Sequence, residues 1–519
     1  MERLKSYQRL LVEKTSLLVS LQDRDELSPT YGCFDRTYWQ WKFIDFPDAR
    51  FQEALLTLSY AYSYNFEGNI FYRNQRLLDW LKAGFLFWIK IQHRDGSFDE
   101  AYPYERSFVA VGFGLFYLTE AFVLMENFLD KDIKGKIISA FNKAADWIMT
   151  NDETHAFISN HRLAACAGLF TLSKISSNKK YEDSCWDIWR SVKENQSIDG
   201  WFSEYGGADP GYLTQGIYYA AILYKKSGNN EVIKSLDKAL EFIKYFIHPD
   251  GSLGGEYGSR NTEFYFPGGF EILAFNSPIA EAICRKLITS MEENRIPSIN
   301  TVDIYNMIPI ANSIVSGCLY YSPNNTIEPL PYLIKSDFVK FFTDFKILVK
   351  KVNNLYLIVG ISKGGVLKVF DLENNKLIQS SVGVFANIDG KVVTSQYFYK
   401  EGLKVEINED IVTIEGNLVI ANYSLLTPLK IIYFRIFSIL NKFFPIGSKY
   451  LKKLIVNILI FKKMKTNWRF KRTIYLPPKN EIQVVTECRD LPPGILKEMR
   501  RHTSYHMGSS KYFEISDLY

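Results

Sequence analysis

What the chain has little of narrows its chemistry. Six cysteines in 519 residues (33, 166, 185, 284, 318 and 488) are scattered with no CxxC pair. That excludes a disulfide framework and fits reduced thiols. Six histidines (93, 155, 161, 248, 502 and 506) stand at no spacing from cysteines or acids that would hold a metal, so none is expected. No phosphate loop or redox-cofactor motif is visible, and no cofactor is expected. Long apolar runs are also missing. The longest uncharged stretch, 304–327, contains two prolines and four asparagines, so no membrane span is expected. Acid is absent from one long segment: 416–480 has no Asp or Glu against thirteen Lys and Arg, while the net charge of the whole chain is only +5. The opening MERLKSYQRLLVEKTS lacks the apolar core of a signal peptide, which makes a cytoplasmic setting the expectation.

What is present is ordinary in bulk and patterned in detail. Hydrophobic residues make up 47% and charged residues 23%, as in soluble globular proteins. Aromatics reach 15%, a composition suited to cores and to sugar-lined clefts alike. Turn sequences recur as QHRDGSF (92–98), QSIDGWF (196–202) and HPDGSL (248–253), with a degenerate copy at Asn151-Asp152. Their aspartates, at 95, 152, 199 and 250, are 57, 47 and 51 residues apart, the mark of a repeated supersecondary unit.

Each turn follows an amphipathic helical pattern and precedes a polar stretch and a more apolar helix. Those second helices are expected to start near Asp48, Glu105, Asn160, Asp209, Asn261 and Asp303. At Asp209-Pro210 an N-cap acid stands before a proline suited to the first helical position. The spacing predicts an N-terminal (α/α) toroid of five to six helical hairpins over 1–330, with the apolar helices inside and their N-termini at one mouth of the cavity. After Pro331, segments 349–359, 366–370, 392–398, 411–420, 472–475 and 482–486 are rich in β-branched and aromatic residues and broken by Gly and Asn. They predict an antiparallel β-sandwich over 331–519, interrupted at about 425–466 by a basic amphipathic helical insert. That insert packs on the sandwich with solvated lysines, meets anionic lipid headgroups, or forms a patch for an anionic glycan. No recognition motif accompanies the charge, so nucleic acid is not an expected partner.

The toroid gathers chemistry-bearing residues at its mouth. Asn160 and His161 open the third inner helix, and Tyr205, Asp209 and Tyr212 the fourth. Arg260, Asn261 and Glu263 belong to the fifth, Arg50 to the first and Arg106 to the second. Such a set suits β-elimination on a uronic acid. Asn, His and Arg donors with helix N-termini neutralise the sugar carboxylate, and a Tyr or His removes the C5 proton and returns one to the departing O4. The competing readings stay open: Glu204 and Asp209 as a glycosidase pair, or a non-catalytic binding or assembly factor. Trp39 reads equally as core or as a sugar platform, and His502 and His506 as residues folding back on the cleft. A terpene-cyclase toroid is set aside, because no DxDD or DDxxD cluster is present.

The segments NHRLAACAGL, DGWFSEYGGADPGYLTQGIYY and KGGVLKVFDLENNKLIQSSVG resemble the heparinase II/III-like polysaccharide lyases. The resemblance implies a helical toroid followed by a β-sandwich, with Asn160 and His161 neutralising the substrate acid and Tyr212 acting as acid or base. Apart from the resemblance, Arg50, Arg106, Glu204, Asp209, Arg260, Asn261, Glu263 and Trp39 are expected to contact substrate, with Tyr205 beside Tyr212 as a further catalytic candidate. The expected partner is an anionic polysaccharide or a lipid-linked glycan, met at the inner membrane face during surface polysaccharide assembly.

Overall fold

The computed structural model describes residues 2–153, 155–408, 410–421, 427–443, 450, 465–477, 482–489 and 496–498. Its helical part runs α1 (Glu2–Leu21), α2 (Arg36–Trp41), α3 (Leu55–Ser63), α4 (Gln75–Ile91), α5 (Phe108–Met125), α6 (Lys131–Thr150), α7 (Ser159–Ser176), α8 (Lys179–Glu194), α9 (Pro210–Ser227), α10 (Asn230–Ile243), α11 (Pro267–Ala274), α12 (Pro278–Glu292) and α13 (Ile304–Leu319). A 3₁₀ segment, Ala49–Ala54, leads into α3.

The odd-numbered helices from α3 onward form the inner ring. Each packs on the next, and α13 returns to α3 and the 3₁₀ segment, so the ring closes with six members. Six outer helices, α1, α4, α6, α8, α10 and α12, cover it. The sequence decides which is which. The amphipathic α8 and α10 bury one face only, whereas α5 is apolar on all sides and buried along nearly its whole length. It is the one described helix long and apolar enough to cross a membrane, and 89% of its apolar window is buried inside the protein. The ring is sealed by an ion cluster. Arg3 of α1 reaches Glu271 of α11 at 2.7 Å and Glu281 of α12 at 2.8 Å, and Tyr7 donates to Glu271 at 2.9 Å.

The repeated turns explain the hairpin spacing. Gln92 Nε2 donates to its own turn at Gly96 O (3.1 Å) and to Ala140 O of α6 (3.0 Å). Gln196 does the same at Gly200 O (2.7 Å) and Ser235 O of α10 (2.9 Å). Each glutamine therefore closes one turn and staples it to the next outer helix. Gly96 and Gly200 adopt φ of 96° and 106°, and a Cβ there would stand 2.1 Å from Lys143 O and 2.2 Å from Lys238 O. Only glycine combines that conformation with that approach. Asn151-Asp152 forms no such turn; Asn151 ends α6 and Asp152 accepts from Arg162 at 2.7 Å.

The strands are β1 (Phe338–Phe342), β2 (Ile347–Val352), β3 (Leu355–Gly360), β4 (Val366–Asp371), β5 (Lys376–Ser381), β6 (Val384–Ile388), β7 (Lys391–Thr394), β8 (Lys404–Ile407), β9 (Ile411–Ala421), β10 (Lys465–Tyr475), β11 (Gln483–Arg489) and β12 (Leu496–Glu498). One antiparallel sheet has the order β1-β2-β3-β4-β5, the other β11-β10-β9-β7-β6-β12 with β8 beside β9. Leu357, Val359, Leu367 and Val369 of the first sheet face Val412, Ile414, Phe470 and Ile474 of the second. The opposite face of the first sheet, with Ile347, Val349, Tyr356 and Ile358, joins the toroid's core. A sheet covered on both faces has continuous apolar strands. For that reason 349–359 reads as one run in the sequence, although Asn353 (φ 50°) turns it into the β2–β3 hairpin. The expected strand 392–398 ends at Thr394.

Of the basic insert, one helix is described, α14 (Pro428–Phe443). It lies on the toroid rather than on the sandwich. Arg106 donates to Asn441 O at 2.8 Å, Arg435 pairs with Asp45 at 2.7 Å, and Phe434 meets Tyr102 edge-on at 5.0 Å. His502 and His506 fall outside the described residues.

Candidate active site

The mouth of the toroid is built on two buried carboxylates. Glu204 accepts from the backbone N–H of Asn160 at 3.0 Å and from its side-chain Nδ2 at 2.8 Å, pinning the first turn of α7. Asp209 caps α9 through Tyr212 N (3.1 Å) and holds the following loop through Arg260 N (2.8 Å) and the Thr262 hydroxyl. Burial raises both carboxyls above their ordinary range. Hydrogen bonds oppose this at both, and Asp209 adds to it at Glu204. Both residues are fully buried, so the expectation that they touch substrate is corrected: they are the frame. The same burial removes the hydrolase pair, because neither carboxylate reaches the cleft.

On that frame stands His161. Its Nδ1–H donates to Glu153 at 2.8 Å, and its ring meets the face of Phe113 of α5 edge-on at 5.4 Å. Glu153 is buried and also lies 3.8 Å from the His155 imidazole. Arg162 secures this loop by donating to Ile158 O and Glu153 O at 3.2 and 3.1 Å. The guanidinium of Arg50 lies 4.8 Å over the same Phe113 ring, held by Glu53 at 2.9 Å and Glu100 at 3.3 Å. Histidine and arginine from the two segments that flank α5 thus share one aromatic wall.

Tyr205, in the loop before α9, and Tyr212, in the first turn of α9, come from the neighbouring segment. The loop before α9 is tied to the His161 loop by Tyr205 N donating to Phe157 O at 3.1 Å. Tyr205 adopts φ 59°, and Arg260 lies 4.1 Å over its ring. Burial pushes the Tyr205 phenol up. Arg260 opposes this, while Glu153 and Tyr212 push the same way, so Tyr205 lies within electrostatic reach of the His161 support and of Tyr212. Asn160, His161, Tyr205, Tyr212 and Arg260 are therefore at one end of the ring, with Arg50 across from them. Asn160 itself is 1% exposed, with its amide nitrogen committed to Glu204.

Other expected contacts lie elsewhere. Asn261 accepts from Lys363 Nζ at 2.6 Å, and Glu263 is 3.5 Å from Lys368 Nζ, so both join the toroid to the sandwich. Arg106 turns outward to Asp95 (2.9 Å) and α14. Trp39 commits its indole N–H to Leu21 O at 2.8 Å. In each case a short polar segment beside a helix start offered more directions than the sequence could choose between. The reading of the sequence missed Glu153 and Phe113. Glu153 lies eight residues before His161 in a loop without periodicity, and Phe113 hides among the core aromatics of α5.

Residues 48–269 match the family described as the Ulvan lyase N-terminal domain. That span opens at the Asp48 cap and closes inside α11. No curated protein matches the sequence. Among solved structures, a Paenibacillus xanthan lyase aligns over 81% of this chain at 10% identity with a TM-score of 0.52. A Streptomyces coelicolor chondroitin AC lyase aligns over 81% at 13% identity with a TM-score of 0.50. The chain spans 46% of the xanthan lyase and 67% of the chondroitin lyase. A heparan sulfate lyase from Pedobacter heparinus aligns over 93% of this chain and 69% of its own, at 10% identity and a TM-score of 0.43. At such identities the likeness is one of fold. The chain carries the toroid and β-sandwich of the polysaccharide lyases, and its resemblance to the heparinase II/III-like group holds.

Proposed function

We propose that this protein is a polysaccharide lyase that cleaves a uronic-acid-containing glycan by β-elimination. The observation that supports the reading is a carboxylate-backed imidazole, His161, at the end of the toroid where the Tyr205 phenol lies under a guanidinium and within electrostatic reach of Tyr212. His161 draws charge from the sugar carboxylate, which acidifies the C5 proton, and Arg260, itself buried, braces Tyr205 from behind. Tyr212 takes that proton. Tyr205, whose phenol burial keeps protonated, returns one to O4 as the bond to the leaving sugar breaks. Asn160 contributes by fixing the helix start through Glu204.

The setting we propose is surface polysaccharide assembly at the inner membrane face, on an anionic polymer or a lipid-linked glycan. Its support is the acid-free segment 416–480. The test is to incubate the full chain with a panel of uronate polymers and follow the ultraviolet absorbance of the unsaturated product, with His161→Ala as control. New reducing ends without that absorbance would point to hydrolysis and sink the lyase reading. Binding without cleavage would leave a glycan-assembly factor.

A further inference from the structure

The helix α14 is inside out. Its polar side chains Ser438 and Asn441 are its buried residues, and Arg435 is spent on Asp45. At 3.6 residues per turn, Leu429, Ile432, Tyr433, Ile436, Leu440 and Phe443 fall on the opposite face. They are 47–67% exposed, and no charge interrupts them. Lys430 borders this stripe on one side, and Lys442 lies on the other, nearer the toroid, with its Nζ 5.8 Å over the Tyr104 ring. A soluble surface helix has the reverse arrangement, with its apolar side toward the core. Among the described residues nothing covers the stripe.

We propose that α14 is a membrane-docking surface that lies in the headgroup region of an anionic bilayer, apolar stripe inward and lysines at its borders. The sign of the charge selects the occupant: the ionisable side chains of α14, Lys430, Arg435 and Lys442, are cationic except for the phenol of Tyr433, and the sequence from 416 to 480 holds no Asp or Glu, which suits an anionic lipid surface. A second copy of this chain offers the same cations and would repel them.

The position of α14 gives docking a consequence. Below it, Arg106 and Tyr102 belong to the loop that carries Glu100, and Glu100 holds Arg50 over Phe113. One loop therefore separates the docking helix from the cleft, and docking sets the mouth beside the headgroups. This deepens the proposed setting without resting on the chemistry, because the test uses no glycan.

Flotation of the full chain is measured with phosphatidylcholine vesicles and with vesicles holding about one third phosphatidylglycerol. The expected result is flotation with the anionic vesicles, weakened about tenfold in the triple variant Ile432→Ser, Ile436→Ser, Leu440→Ser, whose changes face outward. The pair Lys430→Gln, Lys442→Gln is expected to weaken flotation and to blunt its response to about 0.5 M salt. Circular dichroism of each variant checks that the fold is kept. Failure of the unaltered chain to float, or a triple variant that floats equally well, overturns the proposal. So does a dimer in light scattering that the triple variant makes monomeric while neither form floats.

Discussion

Glu153 stands 2.8 Å behind His161, its carboxylate on Nδ1 and the rest of the ring turned toward Phe113 and the cleft. The carboxylate fixes which nitrogen faces substrate and places a negative charge where an imidazolium would form. Glu153 is a positioning residue, and it marks the difference between a histidine that caps a helix and one held ready for a proton.

Glu153→Gln keeps the shape and removes the charge. The expected loss in kcat is about a hundredfold with KM changed little, since the glutamine still fills the site but supports no imidazolium. A kcat unchanged within twofold would mean that His161 only packs. Circular dichroism of the variant separates this from misfolding, and a shift in the pH–rate profile would identify the proton at stake.

The two phenols should separate in their effects. Tyr212→Phe is expected to lower kcat by about a thousandfold, as loss of the base does. Tyr205→Phe should cost less on substrates with a good leaving group, because such groups depart without a proton. Comparing a polymer with an activated aryl glycoside of the same uronate reads this directly. Equal losses on both would reject the division of roles.

How much of this was legible beforehand depends on how local the signal is. The repeat was readable because Gln92 and Gln196 act within their own turns, and a local hydrogen bond leaves a local motif. That Asn160 and His161 open α7 and Tyr212 opens α9 was readable because helix-start signals are local too. Glu204 and Asp209 were misassigned because the sequence shows a carboxylate near a helix start but not whether solvent reaches it. Asn261 and Glu263 were misassigned because their partners, Lys363 and Lys368, lie a hundred residues away in another domain. Helix α14 showed its amphipathic composition, yet which face it turns inward is a tertiary fact.

The turn glycines give a test of the fold. Gly200→Ala places a Cβ 2.2 Å from Lys238 O at φ 106°, so both contact and conformation are violated. Gly228→Ala, at φ 65° with open space around it, violates only conformation. The expected destabilisation is about 3 kcal/mol for the first and about 1 kcal/mol for the second, measured by denaturant unfolding. Equal losses would show that the approach of the turn to α10 is looser than described.

The acid side of the stability curve should carry a signature of Glu53. This carboxyl is buried beside Arg50, and burial pushes it up to about 7 in spite of the cation. A carboxyl whose pKa is higher folded than unfolded binds more protons in the native state, so stability falls as pH rises between the two values. The window runs from 4.5, its ordinary value, to about 7, and the full effect is on the order of 3 kcal/mol. Glu53→Gln, which cannot ionise, is expected to flatten that slope while leaving stability at low pH close to that of the unaltered chain. Unfolding free energies across this range, taken for both proteins, decide it. A slope unchanged by the substitution would mean that Arg50 keeps Glu53 ionised throughout against burial and the nearby Glu100, and that the pair over Phe113 is a fixed ion bridge rather than a proton store beside the cleft.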